Sequence, residues 1–184
     1  MLAAPLPPFP GAAPASLPRV PAGCLRPAAS ADLPFLARLY ASYREAELLL
    51  LPWSAAEKQT FLESQFRLQH TDYVHRFPRA AFWIVQIEGE PVGRLYLDRV
   101  GRKWRIVDIG FLPRHRGRGM GTALIRRLQE AAGAKGATIG LTVAVNNPRA
   151  RDLYLRLGFE EQAGDGVHIP MSWRQTVAHG TLGR

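Results

Sequence analysis

The stretch PRHRGRGMG, residues 113–121, sets Gly117, Gly119 and Gly121 at alternate positions among Arg114, Arg116 and Arg118. It lies between an alternating, strand-like run ending in FLP and a helix-like run beginning at TAL. A strand that turns through glycines into a helix builds an anion site. The N–H groups of the first helical turn have no intrahelical acceptor, the helix dipole adds partial positive charge, and glycine removes the Cβ atoms that would keep a phosphate away. The arginines bring further charge to the same place, and a guanidinium forks onto phosphate oxygens. A nucleoside triphosphate loop needs a lysine after its glycines; here Thr122 and Ala123 follow Gly121. The dinucleotide pattern G-x-G-x-x-G fails in register, and the downstream strand LTVAV offers no acidic residue for a ribose. A pyrophosphate held mainly by backbone fits what remains. On these residues alone, a β-to-α turn with no ligand is the alternative.

A second constellation follows about one strand later. In NPRARDLYLRLGF, Asn147 can cap a short helix, Pro148 takes its first turn, and Gly158 closes it. Ala150, Leu153, Tyr154 and Leu157 share one helical face, so Tyr154 also reads as a core aromatic. Taken together, Arg116-Gly117-Arg118-Gly119-Met120-Gly121 and Asn147…Ala150…Tyr154…Gly158-Phe159 resemble two motifs of the GNAT superfamily of acetyl-CoA-dependent N-acetyltransferases. The resemblance spans roughly residues 24–173, with its specific part at 104–159.

The resemblance implies a coenzyme A site in a gap where two parallel strands splay apart, here RIVDIGFL and TIGLTVAV. Backbone amides of residues 116–122 would hold the pyrophosphate, with Arg114, Arg116, Gly117, Arg118, Gly119, Met120, Gly121 and Thr122 as the cofactor-binding set. The backbone of Ile109 and Phe111 would pair with the pantetheine arm, and Asn147 would hold it from the other side. The implied reaction is direct acetyl transfer to an amine. Tyr154, a phenol with an ordinary pKa of about 10, would give a proton to the leaving thiolate. Some members carry a glutamate where Thr142 and Arg105 stand here, so that base does not carry over. Asp108 is the nearest strand carboxylate for the role, with a water chain or an ordinary structural aspartate as alternatives. Gln65, Gln69, His70 and Tyr73, repeating at helical spacing, and His168 on the last strand are the expected acceptor-pocket residues. Family members often pair, which makes a homodimer an expectation.

These residues need elements to position them. CLRPA reads as a short strand. SADLPFLARLYASYREAE and SAAEKQTFLESQFRLQHTDYV read as helices, the second opened by a Ser54/Glu57 capping box. Residues 81–113 alternate and break at Glu88-Gly89-Glu90 and Val100-Gly101-Arg102-Lys103, which predicts three antiparallel strands. Then come the glycine-rich turn, a helix, a β-branched strand, a short helix and a final strand pair. The expected fold is α/β (α+β-like): one domain over residues 23–174, with a mostly antiparallel mixed sheet of about seven strands, a splayed parallel pair and about four helices. Residues 1–22 read as a flexible Pro/Ala-rich tail, and 175–184 as a second tail.

Composition bounds the rest. The chain has 184 residues, a formal charge of +9 and only three lysines, so arginine carries nearly all the positive charge. That suits an anionic partner. The arginines are scattered and no aromatic platform interleaves them, which argues against nucleic acid. Cys24 is the lone cysteine and the histidines show no H-x-x-x-H spacing, so no internal disulfide and no metal site is expected. A cytoplasmic setting with no membrane span is the natural expectation. The competing readings are a non-catalytic acyl-CoA sensor and, on charge alone, a nucleic-acid binder.

Overall fold

The computed structural model describes residues 5–11 and 23–175. Seven strands form one sheet: β1 (Cys24–Pro27), β2 (Ala81–Ile87), β3 (Glu90–Val100), β4 (Lys103–Phe111), β5 (Thr138–Ala144), β6 (Glu160–Glu161) and β7 (His168–Trp173). Their spatial order is β1-β2-β3-β4-β5-β7-β6. Every neighbouring pair is antiparallel except β4 and β5. Four α-helices accompany them: α1 (Leu33–Leu49), α2 (Ala55–Arg76), α3 (Met120–Gly133) and α4 (Pro148–Arg156). The expected element order, the single domain and the parallel pair are all present.

The helices cover both faces of the sheet. On one face α1 and α2 bury Phe35, Leu36, Leu39, Tyr40 and Phe66 against Phe82, Ile84 and Tyr96. On the other, α3 turns Leu124, Ile125, Leu128 and Ala132 onto Leu95, Leu97, Ile139 and Leu141, joined by Tyr154 of α4 and Leu157 just after it. The spacing of that α3 stripe is why the helix forms and where it faces. The predicted capping box is formed: Ser54 N donates to Glu57 Oε2 at 2.8 Å, and Glu57 N donates back to Ser54 Oγ at 3.3 Å.

Two features set the site. First, β4 and β5 pair only over Lys103–Arg105 and Thr138–Gly140, and beyond that they part. Second, Tyr96 of β3 faces Asp108 while Leu97 faces Ile106, so Val107 has no partner and forms a bulge. The extra residue reverses the alternation. Before it, Trp104 and Ile106 face the α3 side; after it, Ile109 and Phe111 do, and Asp108 faces α2.

One expectation is corrected here. Part of the stretch read as a flexible tail packs on the domain: Leu6 and Phe9 lie against the α1/α2 core, and the Phe9 ring meets His70 and Phe82 at 4.9 and 5.4 Å. Proline breaks the helical and strand patterns that a sequence reading detects, but a proline-flanked aromatic can still fill a surface hollow. The remainder of residues 1–22, and 176–184, lie outside the described residues.

Candidate active site

The glycine-rich turn is a row of unmet donors. Arg116 N still donates to Pro113 O, and Ala123 N closes the first helical bond to Gly119 O. Between them, the backbone N–H groups of residues 117–122 have no acceptor among the described residues. Gly117 and Gly119 sit at φ 74° and 76°, the left-handed region that glycine enters without strain. Gly119 is the N-cap of α3, and no side chain caps the helix. A run of outward amides at a helix start is a fit for a pyrophosphate.

The side chains around it divide. Arg118 is exposed beside the turn, and Arg114 donates to the neighbouring His115 ring. Arg149, from the first turn of α4, brings its guanidinium to 3.2 Å from where a Gly117 Cβ would stand. It has no hydrogen-bond or ion-pair partner among the described residues, and sequence reading missed it because it belongs to the other motif. Arg116 does the opposite of what its position implied. Its Nε donates to Phe111 O at 2.8 Å, Nη2 donates to Ser42 Oγ at 2.7 Å, and the guanidinium lies 4.2 Å from the Tyr43 ring centroid. This side chain ties the turn to α1 and faces away from a ligand; only its backbone belongs to the loop.

Where β4 and β5 part, a cleft of about 190 Å³ opens, lined by Tyr73, Asp108, Ile109, Thr142, Asn147 and Tyr154 among others. Leu112 N donates to Val92 O of β3, so the backbone of Leu112 and Gly110 turns toward β3. By alternation the backbone of Ile109 and Phe111 turns into the gap. Phe111 O is already taken by Arg116 and by the Tyr43 hydroxyl at 3.2 Å, which leaves its N–H and both groups of Ile109 for a strand-like ligand. Asn147 caps α4, its Oδ1 accepting from Ala150 N at 3.2 Å.

Tyr154 combines both of its sequence readings. Its ring packs in the core against Phe159, with centroids 5.7 Å apart, while the residue lines the cleft. Burial, with Asp108 nearby, pushes its phenol up to about 12, so it holds its proton at neutral pH.

Asp108 enters the cleft from a buried cluster. Its Oδ2 accepts from Arg94 Nη2 at 2.5 Å and from the Tyr73 hydroxyl at 3.0 Å. Arg94, whose side chain is 3% exposed, also donates to Gln69 Oε1 at 3.0 Å. Burial works against the Arg94 charge, but Asp108 and the surrounding tyrosine oxygens outweigh it and hold the guanidinium protonated. The other oxygen of Asp108, Oδ1, has no partner among the described residues.

Of the expected acceptor residues, Tyr73 alone lines the cleft. Gln69 serves Arg94, and Gln65, one turn earlier on α2, is not among the residues lining the cleft. His70 is 3% exposed and its Nε2 meets Pro7 O at 2.8 Å under the N-terminal segment, so it is a core contact and not a pocket residue. His168 is exposed at the start of β7, opposite Ala144 and 3.6 Å from Asp165, on the shelf beside the cleft.

A family model described as "Acetyltransferase (GNAT) family" matches residues 38–159, which include β4, the glycine turn, β5 and α4. The chain belongs to the GNAT acetyltransferase family. An uncharacterized N-acetyltransferase of Methanocaldococcus jannaschii is 29% identical over 124 residues, 63% of this chain and 55% of that one. An acetyltransferase of Sodalis glossinidius is 30% identical over 115 residues, 62% of this chain and 73% of its own length. The matched region thus spans little more than half of the first relative. Among solved structures, a PaiA N-acetyltransferase of Thermoplasma acidophilum in complex with coenzyme A superposes with a TM-score of 0.62 at 16% identity, covering 82% of this chain and 98% of that one. The ribosomal-protein-S18-alanine N-acetyltransferase of Escherichia coli gives 0.54 at 22%, covering 88% and 99%. At these identities the structures speak for the fold, which is a GNAT fold with one parallel strand pair. No helix among the described residues is long and apolar enough to cross a membrane.

Proposed function

We propose that this GNAT family member transfers an acetyl group from acetyl-CoA directly to a primary amine of a small molecule or a peptide N-terminus, both substrates being bound at once. The row of unmet amides at 117–122, leading into a cleft that holds Tyr154, carries the reading. When bound, acetyl-CoA supplies the activated thioester; the chain supplies position and protons.

The amides of 117–122, with Arg118 and Arg149, hold the diphosphate end. The backbone of Ile109 and the N–H of Phe111 take the extended arm as a strand edge takes a peptide. N–H groups aimed into the gap stabilise negative charge growing on the carbonyl oxygen. Asp108 Oδ1 accepts a hydrogen bond from the incoming amine and fixes its approach. Tyr154 gives its proton to the departing sulfur, and the proton that the amine nitrogen loses on forming the amide returns through solvent to the phenolate. The phenol stays neutral throughout the physiological range, so its proton is in place when the sulfur departs. A non-catalytic sensor has no observation in its favour, since the proton donor sits in the cleft.

Two measurements test this. Calorimetry must find saturable acetyl-CoA binding, and thiol release must follow addition of an amine. Tyr154→Phe is expected to lower kcat about 100-fold with the Kd for acetyl-CoA unchanged. Full turnover in that variant removes Tyr154 from the mechanism.

A further inference from the structure

Beside the cleft wall at Thr142 stands positive charge, part of which is not neutralised among the described residues. Thr142, on the cleft wall, accepts a hydrogen bond from Arg105 Nη2 at 3.0 Å. Arg105 also shares the Phe77 ring with Arg76, their guanidinium carbons lying 5.9 and 5.6 Å from its centroid. Lys103, two residues earlier on β4, shows the same face, since strand side chains alternate. Arg76 has Asp72 at 3.2 Å. Arg105 and Lys103 have no acidic partner among the described residues. This is notable for Arg105, because Asp98 stands directly opposite it in the β3–β4 ladder. Cross-strand neighbours of opposite charge ordinarily meet. Here the guanidinium turns away from Asp98, toward the cleft.

The shelf in front of it is open. Thr142 of β5 pairs with Pro170 of β7, and Ala144 with His168; Thr142 and His168 are both exposed. An amine seated at Asp108 Oδ1 places its remaining substituents on this shelf, with Arg105 three positions away along β4, about 10 Å at roughly 3.3 Å per residue, a gap that the long arginine side chain spans.

Resting on the acetyltransferase reading above, we infer that Arg105 is a specificity-determining residue that selects amine acceptors carrying a carboxylate close to the reacting nitrogen. The planar fork has free N–H edges to receive a carboxylate, and Lys103 and Arg76 add field of the same sign. The carboxylate has two sources, the α-carboxylate of a free amino acid or an acidic side chain at a peptide N-terminus.

Matched pairs of acceptors separate them. Alanine against alaninamide differs only in the α-carboxylate; glutamyl-alaninamide against glutaminyl-alaninamide differs only in the side chain. Each is titrated calorimetrically onto the coenzyme A-loaded protein and then compared by kcat/KM. In at least one pair the carboxylate form is expected to bind about tenfold to a hundredfold more tightly. That preference shrinks as salt is raised from 0.05 to about 0.5 M, disappears in Arg105→Gln and inverts in Arg105→Glu. A ratio between matched acceptors is unmoved by a general loss of fold or of enzyme. No preference in either pair, or a preference that survives Arg105→Gln, overturns the inference. Absence of thiol release with every amine would instead strike the catalytic reading, leaving the binding preference to stand or fall by calorimetry.

Discussion

Two polar groupings meet at the end of β4, and they differ in what they lack. The Arg94–Asp108–Tyr73–Gln69 cluster is charged, buried and eye-catching, yet its members mostly satisfy one another. The turn at 117–122 is mostly backbone, and its donors are satisfied by nothing among the described residues. A ligand site announces itself by hydrogen-bonding capacity left over, more than by charge. The cluster is the platform; the turn is the receptor. Asp108 Oδ1 is the point where the platform also presents a free acceptor.

The sharpest test of that division is Asp108→Asn. If the cluster is a platform, this change strands a buried guanidinium and costs about 3–5 kcal/mol of stability by urea unfolding, with acetyl-CoA affinity little changed. An apolar double replacement, Arg94→Met with Asp108→Leu, is expected to be less damaging than the single one, because no charge is left behind. An additive loss would break the comparison.

Next in size is the receptor. Gly119→Asp puts a carboxylate among the unmet amides and a side chain at φ 76°; acetyl-CoA affinity is expected to fall about 100-fold or more by calorimetry. Gly119→Asn tolerates the left-handed region, so it separates strain from charge: it should keep the melting temperature and lose less affinity. Arg149→Gln is smaller, about tenfold in Kd at low salt, and its effect should fade as salt rises. The smallest expected effect is at His70, beside the platform. Burial holds its pKa below the ordinary value, so the folded state binds fewer protons than the unfolded chain. Stability is therefore complete above about pH 6.5 and falls as pH drops toward the lowered value. His70→Gln, which keeps a donor for Pro7 O but does not titrate, should flatten the stability profile between pH 7 and 5.

Much of the fold was legible because its signals are local. The Ser54/Glu57 box, the alternation through β2, β3 and β4, and the capping Asn147 need no distant partner to act. The site was legible where backbone and glycine make it, at Gly117 and Gly119. Side-chain roles were less so. Arg94 is one more arginine on a strand until Asp108, diagonally placed on β4, takes its guanidinium. Arg116 reads as a phosphate ligand until Ser42, 74 residues earlier, claims its guanidinium. His70 reads as a pocket residue until Pro7 covers it. Each depends on a contact far along the chain, which spacing does not encode.

The unpaired Val107 gives β4 two reading frames. Upstream of it, even-numbered positions must be greasy; downstream, odd-numbered ones must be, and Asp108 holds its station only because the frame has shifted. Deleting that single valine would straighten the ladder and leave Asp108, Ile109 and Phe111 on the faces they hold now; it is pairing Val107 in the ladder that would turn Ile109 and Phe111 to the wrong side of the molecule and drive a carboxylate into hydrocarbon. In this strand, the place where the ladder skips a residue matters as much as which residues it holds.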